Sequence, residues 1–504
     1  MSISSISGKT TTKLTTPQIL QRGMYLVWGA SVLLLVASIA TVQGQRNAIR
    51  TIGKDTAPSI INAQRLKDAL SGMKAFAANE LLAPAGQNEA AAQGYRERYQ
   101  RLSERLVSVA ENITYGDKER KPIQTLQLGV GDYIAQLQQA RDFNAQHNTV
   151  AMLNAYRQAS NIMDKTLLPA ADALDKANLD ELDRIYSEQK VGVGRSLFFI
   201  TIVGLATLIV LIGLQILLSR RTRRTLNLGL LAATAIATIF LLYILQVLTS
   251  SSNSLQVAKE GAFDSIHALR QMRSLAYGAV ADESSYLLDP AFARQNEQAF
   301  LQKIAQIATP PTDQTFASVA SAIARSQSVP NFTGLLATEA NNITFPGERE
   351  AVVETISKLG NYLEIDKQIR QLQQSGKHQE AVALINNQIR EYHLRLLEIS
   401  NYQPQIVCAG ADAQSPNCAL TQLMDANLKT YAVNKKVFYQ EIGRGFNAVG
   451  GYSVIMPPDD RIEQLADIQP QAIDQFTAIA STATAAIALL TLLGLLPRLR
   501  EYSA

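Results

Sequence analysis

Two apolar runs, residues 196–218 and 228–249, are separated only by residues 219–227, which hold Arg220, Arg221, Arg223 and Arg224. Each run is about as long as the ~20 residues a helix needs to cross the hydrocarbon of a bilayer, and neither carries a charge. A buried helical hairpin of a soluble protein would keep a polar stripe along one side of each helix, and these do not. The pair therefore reads as two membrane spans joined by a tight turn. Arginines crowded into so short a connection resist translocation, which places the turn in the cytoplasm and sends both flanking segments out through the opposite face.

Two more runs complete the topology. Residues 1–23 are polar and precede an apolar run at 24–43 that is longer than the h-region of a signal peptide and has no small-residue cleavage site after it, so it reads as a retained span. The last run, 476–497, is followed by a basic tail at 498–504 that includes Arg498 and Arg500. Both termini then lie inside, and the large segments 44–195 and 250–475 lie outside. The net charge of +4 is accounted for by this topology, and no basic stripe with interleaved aromatics suggests nucleic acid.

The two outer segments are related. From Ile52 the small and apolar positions Thr56, Ser59, Ala63, Leu66, Leu70, Met73 and Ala77 recur at spacings of three and four, the seam of a long packed helix. A shift of 206 residues carries Ile49 and this seam, as far as Met73, onto Leu255, Ala258, Ala262, Ser265, Leu269, Met272, Ala276 and Ala279, and carries Gly72 to Gly278 and Pro84 to Pro290. Farther along, Gly131 and Tyr133 match Gly360 and Tyr362. A repeat at this scale means one supersecondary unit built twice. The first segment predicts helices at 46–82, 88–113, 117–146 and 149–195 with short connections, an up-down four-helix bundle. The second has the same plan with irregular additions at Pro310-Pro311, 331–346, around the cysteines and at 450–460. The fold class is thus an all-α membrane protein, with four transmembrane helices and two extracytoplasmic four-helix bundles arranged as an internal repeat.

Nothing in the chain has the pattern of an active site. The histidines His147, His267, His378 and His393 lack metal-ligand spacing, so neither a metal nor another cofactor is expected. Ser71-Gly72-Met73-Lys74 lies inside the helical seam, and Gly443-Arg444-Gly445 reads as a flexible bend. Cys408 and Cys418 have nine residues between them in a polar loop, and outside the cytoplasm a disulfide between them is favoured over two free thiols. Arg65, Arg270 and Arg273 lie near apolar seam positions. They either snorkel to solvent or hold a ligand carboxylate in guanidinium forks between helices. Inside, Arg220, Arg221, Arg223, Arg224, Arg498 and Arg500 either attract anionic headgroups or dock a cytosolic partner.

A span, a helical bundle and a second span resemble the sensory module of bacterial chemoreceptors. The Arg-Arg-Thr-Arg-Arg turn at 220–224, the following Leu226-Asn227-Leu228-Gly229-Leu230, the duplicated unit and the Pro497-Arg498-Leu499-Arg500-Glu501-Tyr502 ending together resemble the tandem four-helix-bundle membrane sensors of actinobacterial type. That resemblance implies a sensor in the bacterial plasma membrane. It would relay amino-acid availability from an extracytoplasmic solute-binding lipoprotein to a cytosolic Ser/Thr kinase. A non-enzymatic relay is the leading expectation and a structural membrane scaffold or envelope-assembly protein the alternative. Transport is disfavoured, because the spans hold almost no intramembrane polar groups to line a pathway.

Overall fold

The computed structural model describes residues 15–222, 226–401, 416–450, 452–457, 465–471 and 474–501. Two long rods begin the halves. In the first, α1 (Thr16–Arg50) passes through a π-helical turn, Thr51–Thr56, into α2 (Ala57–Leu81) without interruption. Then follow α3 (Glu89–Glu111), α4 (Asp117–Ala145) and the return rod of α5 (Thr149–Ile162), a π-turn and α6 (Leu168–Thr222). The second half opens with α7 (Leu228–Gln256), the π-turn Val257–Phe263 and α8 (Asp264–Leu288), followed by α9 (Ala293–Ile307), α10 (Phe316–Ala324) and α11 (Leu335–Asn341). It continues with α12 (Glu348–Gln374), α13 (His378–Asn401), α14 (Ala419–Val449), the strands β1 (Tyr452–Ile455) and β2 (Asp467–Pro470), and α15 (Gln475–Glu501).

Four helices are long and apolar enough to cross a membrane, and they lie within the two rods of the first half, the opening rod of the second, and α15. They form a ring in which α1 and α7 each touch α6 and α15. Leu20, Val27, Leu34, Leu211, Ile244 and Ile487 fill its centre, while Leu26, Phe198, Ile209, Ile239 and Leu489 face outward. Close approaches set the crossings: a Cβ on Gly204 would lie 2.5 Å from Leu241, and one on Gly229 only 2.8 Å from the backbone of Gly494. At that last crossing the Asn227 side chain caps α7, accepting from the Gly229 and Leu230 amides, and donates to the Gly494 carbonyl at 2.6 Å. The Asn-Leu-Gly after the arginine turn is thus a helix cap and a contact point at once.

Beyond the spans the two halves make one head, and its most extensive seam is the parallel packing of α2 on α8. The duplication reaches single hydrogen bonds. Asn112 donates to Ser59 at 2.7 Å and Asn342 to Ser265 at 3.0 Å, while Glu119 accepts from the Thr114 and Tyr115 amides as Glu348 does from Thr344 and Phe345. The π-turns at Thr51–Thr56 and Val257–Phe263 also correspond. Each lies where a span-bearing helix becomes a head helix, and the wider π-turn shifts the helical phase between the two.

Three irregular expectations are corrected. Gly443-Arg444-Gly445 is no bend but part of α14, where a Cβ on Gly445 would meet Ile49 at 3.2 Å, so close packing explains that glycine. The 450–460 stretch contains β1, which pairs antiparallel with β2 and seats Ile468 against Gly53 in the first π-turn. The 331–346 stretch contains α11. The return path of the second half therefore differs from the first. Where α5 and α6 run on as one rod, α14 stops at Gly450 (φ +68°) and the chain re-enters through the hairpin. Arg46 closes this gap, donating to the Val449 carbonyl at 2.8 Å through Nε and holding Asp474 at 2.9 Å through Nη1. Cys418 is buried and disulfide-bonded, and Cys408 lies outside the described residues.

Candidate functional site

The polar residues of the head concentrate where α2 meets α8. Both helices use small residues at their contact, so the backbones approach closely and longer polar side chains reach across the seam. Nearest the ring, Gln64 donates to Asp175 at 2.6 Å, and His267 lies 2.9 Å from the same carboxylate. One turn on, Asp68 lies 3.4 Å from Arg270 and 3.7 Å from Arg273, with all three side chains at most 7% exposed. Next, Ser71 and Ser274 meet hydroxyl to hydroxyl at 3.0 Å. Farthest out, Lys74 bonds Asp164 at 2.8 Å and approaches Asp282 at 3.5 Å, and Asp282 also pairs with Lys303. Burial alone would lower the Lys74 ammonium, but Asp282 and Asp164 outweigh it and hold the group above its ordinary range.

Aromatic rings from the surrounding helices wrap this ladder. Arg270 lies over the Tyr431 ring of α14 at 4.0 Å, and Arg273 lies 5.8 Å from the Tyr277 ring of its own helix. From α3, Arg98 stacks on Tyr277 at 4.5 Å and donates to the Tyr277 and Tyr392 hydroxyls at 2.6 and 2.9 Å. The two hydroxyls are hydrogen-bonded to each other. Burial would raise the Tyr277 phenol, yet the Arg273 and Arg98 guanidiniums hold it below its usual value. Burial and the neighbouring Tyr277 push Tyr392 up. Tyr392 belongs to α13, which crosses from the second half to pack on α3 of the first. The layer thus joins α2, α3, α8, α13 and α14 in one buried polar network.

The sequence-predicted residues fall in different places. Arg65, Arg270 and Arg273 are all buried, which overturns their reading as solvated or snorkelling side chains. Arg270 and Arg273 share Asp68, and Arg65 lies one turn before Asp68 on α2, close enough to Tyr439 to act on its phenol. At the opposite end of the rods, Arg220 and Arg500 are exposed, and Arg498 is paired with Glu501 at 2.7 Å. Arg221 lies in the last turn of α6, while Arg223 and Arg224 lie outside the described residues. Ser71 and Lys74 are interface residues of the ladder. Among the described residues no group of His, Cys, Asp and Glu could hold a metal ion.

Asp68, Arg98, Tyr277 and Tyr392 are members of the layer that sequence reasoning missed. One signal was available for Arg98: it interrupts the apolar stripe of Tyr95, Leu102 and Val109 on α3, and a charge on a buried stripe needs a partner. For Asp68 the signal was the repeat itself, because the shift that aligns the seams sets it against Ser274, so the halves differ where they touch.

That difference has a physical consequence. The same shift maps Arg270 and Arg273 onto Gln64 and Lys67, so two copies of the first half would set Asp68 against Gln64 and Lys67, and two copies of the second would set the arginines against Ser274. Only the mixed pair sets one carboxylate between two arginines, a contact that favours this pairing even where it adds little net stability. Residues 48–187, the head portion of the first half, match the family described as an actinobacterial sensor domain. No curated protein and no solved structure matches the chain.

Proposed function

We propose that the chain is a non-enzymatic transmembrane relay, in which the head senses an extracytoplasmic ligand or ligand-loaded binding protein and the arginine-bearing ends of the spans address a cytosolic partner. The observation that carries this reading is the placement of the Asp68–Arg270–Arg273 contact. It lies on the seam between two rods that continue, each through a π-turn, into the spans. A ligand carboxylate competing with Asp68 for those guanidiniums would loosen α2 from α8, and each rod would carry the displacement across the bilayer. A differential affinity of about 1–3 kcal/mol is enough to bias such a two-state contact. The sensor-domain match over 48–187 supports a sensing role for this region.

On this reading the segments between the spans lie outside a bacterial plasma membrane and both termini lie inside. Amino acids, with their obligatory carboxylate, are the ligand class that the guanidinium forks favour, delivered free or by a solute-binding protein. A Ser/Thr kinase is the inner partner implied by the resemblance, with Arg220, Arg221, Arg223, Arg224, Arg498 and Arg500 as its docking residues. The test is a cysteine pair, Ser71→Cys with Ser274→Cys, placed where the native hydroxyls are 3.0 Å apart. Its oxidation rate is followed in membranes with and without a panel of amino acids. A ligand-dependent rate supports the relay, whereas a rate indifferent to every addition favours a static scaffold.

A further inference from the structure

The two halves differ in what covers one groove. On the second half, α10 lies against α12 with its apolar face inward: Val319, Ala320 and Ile323 are buried, and Phe316 sits on Gly360, where a Cβ would come within 2.9 Å of it. Arg349, at the start of α12, donates to the Ile323 carbonyl at 3.0 Å and so caps the end of α10. The segment carrying α10 is an insertion, because α9 and α11 together trace the path that α3 follows alone in the first half.

The first half has the cradle without the helix. Gly131, the counterpart of Gly360, has nothing within 4 Å of a Cβ built on it, and it lines an open groove of about 390 Å³ between α3 and α4. Residues flanking that groove are bare where their counterparts are covered. Tyr99 is 41% exposed at the groove, and Val107 is 59% exposed where its counterpart Ala337 is only 5%. Gln127 is exposed where Ile356 is buried. Arg120, the counterpart of Arg349, is exposed beside Lys118 and Lys121 and pairs with Asp117 at 3.4 Å, so the end of the groove where a docked helix would leave its carbonyls keeps an excess of cations.

We infer that the α3–α4 groove is a docking site for a short amphipathic helix of a partner protein, seated antiparallel to α4 with an aromatic side chain over Gly131 and its C-terminal turn toward Arg120. The second half supplies the template, since it satisfies the same surface with a helix of its own. The dimensions fit helix-in-groove recognition, in which a few apolar anchors on one face carry the affinity. This inference does not depend on the relay reading, because a scaffold would use the same groove.

The full-length chain in nanodiscs tests it with a helix-stapled peptide carrying residues 313–327, the chain's own α10, bearing a benzophenone at position 316. Photolabelling should fall on residues 99–110 and 123–134, and Gly131→Trp, which fills the cradle, should weaken binding by ~10-fold or more with the helical circular dichroism unchanged. Val107→Glu, at an exposed position, should weaken it in the same direction. Labelling confined to 304–363, equal affinity in both variants and wild type, or no binding at about 1 mM peptide would each overturn the inference. A dimer of the chain that Gly131→Trp dissolves would do the same, by assigning the groove to a second copy.

Discussion

Replacing Asp68 with Asn tests whether the charge layer locks the two halves. The carboxylate is 3.4 and 3.7 Å from two buried guanidiniums, and at an effective dielectric near 20 each contact corresponds to ~4–5 kcal/mol of Coulomb attraction before desolvation is subtracted. Asn keeps the volume and removes the charge, leaving Arg270 and Arg273 buried beside each other. Loss of one partner from a buried ion pair costs about 3–5 kcal/mol. A cooperative unit of 150–250 residues shifts by about 2–4 °C per kcal/mol, and a larger head shifts less, so an apparent Tm lower by roughly 4–8 °C is expected. The assay is thermal unfolding of the purified chain followed by circular dichroism. The triple change Asp68→Leu, Arg270→Leu, Arg273→Met removes every charge of the contact and should recover most of the loss, because apolar replacement of a buried pair is often neutral or stabilising. An Asp68→Asn protein that melts within about 1 °C of wild type would show that the layer does not hold the halves together.

Other consequences follow from single sites. Burial lifts the Glu339 carboxyl to about 7, with Glu348 adding to the rise and bonds from Ser265 and Asn434 opposing it. A raised folded-state pKa stabilises fully below the unfolded value and is lost as pH climbs through the folded one. Wild type should therefore lose on the order of 3 kcal/mol between about pH 4.5 and 8, and Glu339→Gln should flatten that part of the Tm profile. Arg46→Ala should speed hydrogen exchange at residues 446–449 and 474–478 by ~10-fold and leave the α2–α8 seam unaffected, as expected of a local opening. Gly229→Val forces a methyl against the Gly494 backbone and should lower stability in detergent by ~1–3 kcal/mol, while Gly213→Val, with open space around it, should not.

The parts of this fold that follow one period were legible in the chain. The spans appear as uncharged runs of the right length, and the shared shift from Ile52 and Ala258 onward exposes the duplication, because small and apolar residues recur at the same helical spacing in both halves. What depends on the meeting of distant segments was not legible. The four-residue strands β1 and β2 are too short to show alternation, and their pairing relies on Ile468 finding Gly53 some four hundred residues earlier in the chain. The crossing of α13 onto α3 is recorded only in contacts such as Arg98 with Tyr392. For the arginines, sequence position identified the right helix faces, but whether water or Asp68 met them was decided by the partner half.

The coupling of head to spans can be read in one distance. Spin labels at positions 220 and 500, both exposed at the turn end of the ring, report the spacing of α6 and α15 by pulsed dipolar spectroscopy. If α2 and α8 transmit through the bilayer, Asp68→Asn in the head should shift or broaden that distance distribution, and oxidising the Ser71→Cys, Ser274→Cys pair should narrow it. Identical distributions in all three proteins would contradict transmission.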